Sequence, residues 1–252
     1  TMMWRRVIMA FIIAMFLLGV IVMLYPLLHG AFVDTKISMD AKEFLDQRQG
    51  TEVDLGQESQ LPDVPPDKAM SYPELFAAMQ TYNARIWEER QSQLCGPWSY
   101  QQPSFSLEEY GVGTDAIGVI CIPKLQLEMP IYLGATAENM AKGAVHLSQT
   151  SLPIGGMNTN CVLAGHRGYN GAAYFRYITD LEVGDTVTIT NLWETLTYSV
   201  VDTEIIDPTD IQKILIQENH ERLTLLTCHP YASGGRQRYV VFCERNKEME
   251  EM

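Results

Sequence analysis

The stretch Arg222–Val241, RLTLLTCHPYASGGRQRYVV, constrains the fold of this chain more than any other. An apolar run, Leu223 to Thr227, delivers Cys228 and then stops at His229-Pro230. Pro230 has no backbone donor and biases His229 away from helix, so a strand is expected to end beside the thiol. After the loop Tyr231–Gly235, the residues Arg236, Gln237 and Arg238 lead into a second apolar run, Tyr239 to Phe242. This pattern predicts two strands joined by a glycine-containing loop, with Cys228 and Arg238 facing each other near its mouth. Upstream, CVLAGHRG (Cys161–Gly168) reads as another short strand ending at His166.

Taken singly, a cysteine, a histidine and an arginine are core or surface residues. Their shared placement at strand ends beside loops makes them a candidate catalytic set. The thiolate is the nucleophile, so Cys228 needs a neighbouring base or cation. His166 can take the thiol proton and later protonate a leaving amine. Arg238 stays charged and can donate to a developing oxyanion or clamp a substrate carbonyl. Arg236 shares the face of Arg238 if the strand starts early, and is the runner-up arginine. Thr227, beside the thiol, is an accessory candidate on the substrate side. His229 adjoins Cys228, but successive strand residues face opposite sides of a sheet, which argues against it as the base. His146 and His220 read as polar surface or turn residues, and His29 flanks an apolar segment.

That segment, Val7 to Leu28, carries no charge and is long enough to span a bilayer as a helix. Arg5 and Arg6 precede it, which keeps the N-terminus cytoplasmic by the positive-inside rule and puts the rest outside the cell. The competing reading is a cleaved signal peptide, for which Leu28-His29-Gly30-Ala31 is a poor cleavage site. No second apolar span follows in this sequence, and Asn246–Met252 is charged. The formal charge of −13 leaves no basic face for nucleic acid. The five cysteines (Cys95, Cys121, Cys161, Cys228 and Cys243) include no CxxC pair, so no metal site is expected, and no cofactor is implied. Cys121, Cys161 and Cys243 read as buried small hydrophobes in strand-like runs.

Along the chain, residues 1–6 form a cytoplasmic start, 7–28 the anchor and 29–70 a linker. Within that linker, a weak helix is expected over Thr35–Arg48, with Ile37, Ala41, Phe44 and Leu45 at helical spacing, followed by an acidic, proline-containing stretch, Gly50–Asp67. Ser71-Tyr72-Pro73-Glu74 matches a capping box, and Leu75, Met79, Tyr82 and Ile86 then predict a core-facing helix to about Gln93. Leu94–Phe105 is too rich in glycine and proline for regular structure, and Trp98 in it reads as a loop anchor or as a lid over a cleft. Residues 71–110 thus make a helix-and-lid region and 111–245 the main domain, followed by a charged tail, 246–252. Strands are expected at Ala116–Ile122, Met129–Leu133, Asn160–Gly165, Thr186–Ile189, Leu196–Ile206, Arg222–Thr227 and Arg238–Cys243. Short helices are expected at Glu138–Lys142, Ala172–Ile178 and Thr209–Leu215. Many strands with irregular connections point to a closed or nearly closed, mainly β barrel.

At TLLTCHPY (Thr224–Tyr231), LAGHRG (Leu163–Gly168) and QRYVV (Gln237–Val241), the sequence resembles the sortases, most of all the class C or pilus sortases. IPKLQLEMPIYLGA (Ile122–Ala135) and GAVHLSQTSLPIGGMNTN (Gly143–Asn160) extend the resemblance. It implies an eight-stranded sortase β-barrel on the outer face of a Gram-positive membrane. It further implies cleavage of LPxTG-like sorting signals after threonine through a thioacyl intermediate, with transfer to an amine. That amine is a pilin lysine in class C members and a cell-wall precursor in anchoring members. By motif, Cys228 is then the nucleophile, His166 the acid/base and Arg238 the oxyanion or orienting residue. Pro97 and Trp98 fall where the family carries its lid, with Gly96 in place of the usual aspartate. A lid closed over Cys228 would bring Cys95 within reach of a disulfide to it. The competing readings are a wall-anchoring sortase, a thiol hydrolase using water, and a non-catalytic binding module.

Overall fold

A computed structural model describes residues 2–58, 71–94, 102–103 and 106–246. Its strands, in chain order, are β1 (Ala116–Ile122), β2 (Leu127–Leu133), β3 (Ala144–His146), β4 (Thr159–Ala164), β5 (Arg167–Tyr169), β6 (Ala172–Tyr174), β7 (Thr186–Asn191), β8 (Thr195–Ile206), β9 (Glu221–His229) and β10 (Gln237–Arg245). Eight of them close a barrel in the order β1-β2-β3-β4-β9-β10-β8-β7, while β5 and β6 form a separate two-stranded sheet. The β2–β3 and β4–β9 pairs are parallel and the other barrel pairs antiparallel.

The seven strands expected from apolar runs are all present. The barrel's eighth, β3, is three residues long, too short for a periodic signal. Strand β4 is buried at every position, as a strand covered on both faces must be, which explains its unbroken apolar text. Side chains alternate between two clusters. Cys161, Leu163, Leu223, Leu225, Val241 and Cys243 pack in one with Ile117, Ile120 and Tyr198. Val162, Ala164, Leu226, Val240 and Phe242 pack in the other with Ala41 and Phe44. Cys121 departs from expectation: it stands on β1 opposite Glu128 of β2 and is only half-buried.

Helix α1 (Met2–Glu58) is continuous, so backbone expected as linker is helical as far as Glu58. Over Met3–Arg48 it is long and apolar enough to cross a membrane, by length and composition. Beyond that apolar run, Ile37, Ala41 and Phe44 are buried against the barrel, and Arg48 Nη2 donates to the Trp193 carbonyl at 3.2 Å. Helix α2 (Pro73–Glu88) buries Leu75, Met79, Tyr82 and Ile86, the expected stripe. Its capping box does not form: Tyr72 is the N-cap, in the left-handed region with φ 50°, and no side chain caps it. Pro73 at the first helical position does the starting, with φ already preset. Asn83 fastens α2 down, donating to the Leu152 carbonyl at 3.3 Å and accepting from its N–H at 2.8 Å.

Helix α3 (Ala137–Lys142) matches expectation, with the Thr136 side chain as its cap. The helix expected over Ala172–Ile178 does not exist. Asn170 and Gly171 both take positive φ, 50° and 88°, and Tyr169 pairs with Ala172 across them. That is a two-residue hairpin, for which Asn-Gly is the strongest short-range signal. Thr209–Leu215 contains only a 3-10 turn, Ile211–Ile214.

His146 is likewise not at the surface. It lies in β3 with no exposure, and its Nε2 is 3.2 Å and 3.1 Å from the carbonyls of Thr150 and Ser151. Two carbonyl acceptors put the proton on Nε2. Burial pushes the imidazole down to about 4, so it folds neutral. Its contribution to stability is complete above pH 6.5 and is lost as pH falls through about 4, a difference on the order of 3 kcal/mol. Urea midpoints should therefore drop between pH 7 and pH 4.5, and a His146→Gln protein should show a shallower drop over the same range.

Candidate active site

Cys228 is the penultimate residue of β9, and the register sets Arg238 of β10 directly opposite it. Alternation puts Cys228 on the face of Leu226 and Arg238 on that of Val240, so both emerge where the second apolar cluster ends. The connecting loop returns over them. A Cβ on Gly235 would lie 3.2 Å from Cys228 Sγ and 3.1 Å from Arg238 Nη1. With φ at +78°, this position suits glycine on both conformational and steric grounds. Arg238 Nη1 donates to the carbonyls of Gly235, at 2.5 Å, and Gln237, at 3.0 Å, which aims the guanidinium along the loop. Arg236 is exposed ahead of β10, so Arg238 is the arginine brought to the thiol.

His166 lies between β4 and β5. The parallel β4–β9 register runs up to Ala164 opposite Leu226. Gly165 then donates its N–H to the Leu226 carbonyl at 3.0 Å and accepts the Thr227 hydroxyl on its own carbonyl at 2.8 Å. Thr227 is 1% exposed. It therefore does not present itself to a substrate as expected, but holds the backbone that enters His166. A side chain on Gly165 would meet the Phe175 ring at 2.7 Å. The His166 ring stacks on Tyr169 with centroids 4.5 Å apart and meets Tyr174 edge-on at 5.7 Å. Burial holds this imidazole below its ordinary range, so near neutral pH it is an uncharged proton acceptor.

Two arginines were not singled out from the sequence. Arg167 Nη1 sits 2.7 Å from His229 Nδ1 and donates to the Cys228 carbonyl at 3.4 Å. Loss of solvent, and then the Arg167 charge, lower the His229 pKa. The His229 ring also stands 6.1 Å from that of Tyr239, and strand alternation puts both on the face opposite Cys228. Arg176 packs on Gly168, where a Cβ would lie 2.5 Å from its Nη2, and stands 5.1 Å from the Tyr231 ring centroid in the β9–β10 loop. The signal available for Arg167 was its adjacency to His166; nothing local marked Arg176.

Cys121, Cys161, Cys228 and Cys243 are free thiols. Among the described residues, no cluster of three or more histidine, cysteine or acidic side chains could hold a metal ion. Pro97, Trp98 and Cys95 lie outside the described residues.

The sequence profile of the sortase domain matches residues 120–246. Sortase D of Bacillus subtilis is 34% identical over 132 residues, which is 52% of this chain and 64% of that protein. The chain thus spans less than two thirds of this relative's length. Among solved structures, the Group B Streptococcus Pilus Island 1 sortase C2 is similar with a TM-score of 0.62 and 32% identity, over 69% of this chain and 97% of that one. Sortase C-1 from Actinomyces oris is similar with a TM-score of 0.61 and 28% identity, over 70% of this chain and 99% of the other.

The Gly165 bond yields a direct test. Thr227→Val keeps the shape but strips the donor from a buried carbonyl, and should destabilise the protein by about 1–3 kcal/mol by denaturant titration. Thr227→Ser, which keeps the hydroxyl, should recover most of that loss.

Proposed function

Because the chain belongs to the sortase family, we propose that it is a membrane-anchored cysteine transpeptidase that cleaves an LPxTG-like sorting signal and passes the acyl group to an amine. The observation that carries this reading is the in-register pairing of Cys228 with Arg238 beside the strand that holds Gly165 and, after it, His166. His166 takes the Cys228 proton as Sγ attacks the threonine carbonyl carbon. Arg238 donates to the oxygen that becomes negative, in a site partly shielded from water. Collapse of the tetrahedral species breaks the threonine–glycine bond, and His166 returns the proton to the departing glycine amine. The thioester is then attacked by the acceptor amine, which gives its proton to His166 while Sγ leaves.

The acceptor we favour is a pilin lysine, since the similar solved structures include pilus-related sortases C. A cell-wall precursor amine would make the protein an anchoring sortase with the same chemistry. In this reading residues 7–28 are a single membrane span, residues 1–6 are cytoplasmic, and residues 111–245 form the extracellular catalytic domain.

Mass spectrometry of the detergent-solubilised chain with an LPxTG-type peptide should detect a thioacyl adduct on Cys228, absent in Cys228→Ala. Adding a lysine-bearing pilin fragment should convert it to an isopeptide product. Product formed equally well without any amine would make the protein a hydrolase, and no adduct across a panel of sorting signals would overturn the proposal. Arg238→Ala should retain the adduct but lower kcat by about 10²–10³.

A further inference from the structure

The hairpin of β5 and β6 follows His166 directly and lies outside the barrel sheet. It carries both rings that flank the imidazole, Tyr169 and Tyr174, and the N–H of Phe175 just after it donates to the His166 carbonyl at 2.9 Å. Tyr174 is held in the left-handed region at φ 45°, a conformation that a bulky residue keeps only where its surroundings impose it. One restraint is its own hydroxyl, which donates to the Ala141 carbonyl at 2.8 Å.

The others come from α1, at and just beyond the end of its uncharged run. A Cβ on Gly30 would collide with the carbonyl group of Gly171 at the hairpin tip. A Cβ on Gly171 would collide with the Pro26 carbonyl and lie 3.1 Å from Gly30 Cα. The two backbones touch because neither residue has a side chain. Next to this contact, His29 Nδ1 is 3.2 Å from the Asn170 carbonyl. One turn further, the Asp34 carboxylate accepts the Ala173 N–H at 2.9 Å, one residue before Tyr174. The barrel closes through its own strand pairing. The hairpin, by contrast, takes part of its support from the helix.

We propose that Gly30 and Asp34 of α1 are positioning residues for the active site: they clasp the β5–β6 hairpin and thereby hold the tyrosines that orient His166. The membrane helix is then a working part of the catalytic unit as well as its tether. The assignment of a catalytic role to His166 rests on the function proposed above; the clasp itself does not.

The test uses the full chain in detergent micelles, with three variants. Gly30→Ala improves intrinsic helix propensity, so any loss it produces comes from the contact and not from α1 unfolding. Asp34→Ala removes the acceptor for Ala173, and Asp34→Asn keeps an oxygen there. The first readout is the proton shift of the His166 ring, identified by its disappearance in His166→Gln. Stacking on Tyr169 moves it upfield, and the shift should relax in Gly30→Ala and Asp34→Ala and return in Asp34→Asn. The second is transpeptidation, where kcat should fall about tenfold or more in the first two variants while KM stays within about twofold. A His166 shift unchanged in both Gly30→Ala and Asp34→Ala overturns the proposal and leaves α1 a tether only. A shift that relaxes as expected, in a protein inactive in every form, would uphold the clasp and refute the transpeptidase reading.

Discussion

Gly165 is bonded to β9 through both of its backbone polar groups, its N–H to Leu226 and its carbonyl to Thr227. This is the joint on which the site depends. His166 is the next residue along one chain segment, and Cys228 is the next along the other. The partners are buried, so water does not compete for the bonds, and breaking either would strand a polar group in the interior. Phe175 packs where a Gly165 side chain would be, which closes the joint from a third side.

The two faces of β9 have divided tasks. Leu223 and Leu225 fill one cluster, and Thr227 continues that side with its hydroxyl turned to Gly165. Leu226 belongs to the other cluster, and Cys228 follows it to the barrel end, where Arg238 arrives from β10 in register. A one-residue slip between β9 and β10 would send the guanidinium to the opposite face. The register is held by eight paired positions, four of them buried on both strands, so the geometry of the thiol and its cation is set by the packing of the barrel.

The protein is strongly acidic, yet arginines gather at this end: Arg167 beneath the Cys228 carbonyl, Arg176 against Tyr231, and Arg238 facing the thiol. Each has a different attachment. Arg167 is bound to backbone and to His229, Arg176 rests on Gly168 and an aromatic ring, and Arg238 is tied to the loop carbonyls of Gly235 and Gln237. Cations fixed this way can stabilise a developing negative charge without reorganising at the moment of reaction, as electrostatic preorganisation requires.

Much of this was open to a reader of the sequence, because it rests on local rules. The apolar runs that became β1, β4, β9 and β10, the stripe of α2, and the expectation that Cys228 would face Arg238 all follow from side-chain periodicity and from proline. Asn170-Gly171 carried a hairpin signal as well, though the apolar residues after it suggested a helix. Other features were decided only when distant segments met. Three residues became β3 because β2 and β4 flank them, and His146 went into the interior with them, where Thr150 and Ser151 satisfy it. Thr227 became a backbone clamp, and Arg167 a support for the thiol's strand, through contacts spanning more than sixty residues. Helix α1 runs on past its apolar segment because barrel and hairpin cover Ile37, Ala41, Phe44 and Gly30. Periodicity records which side of an element is buried; what lies against that side is a property of the closed barrel alone.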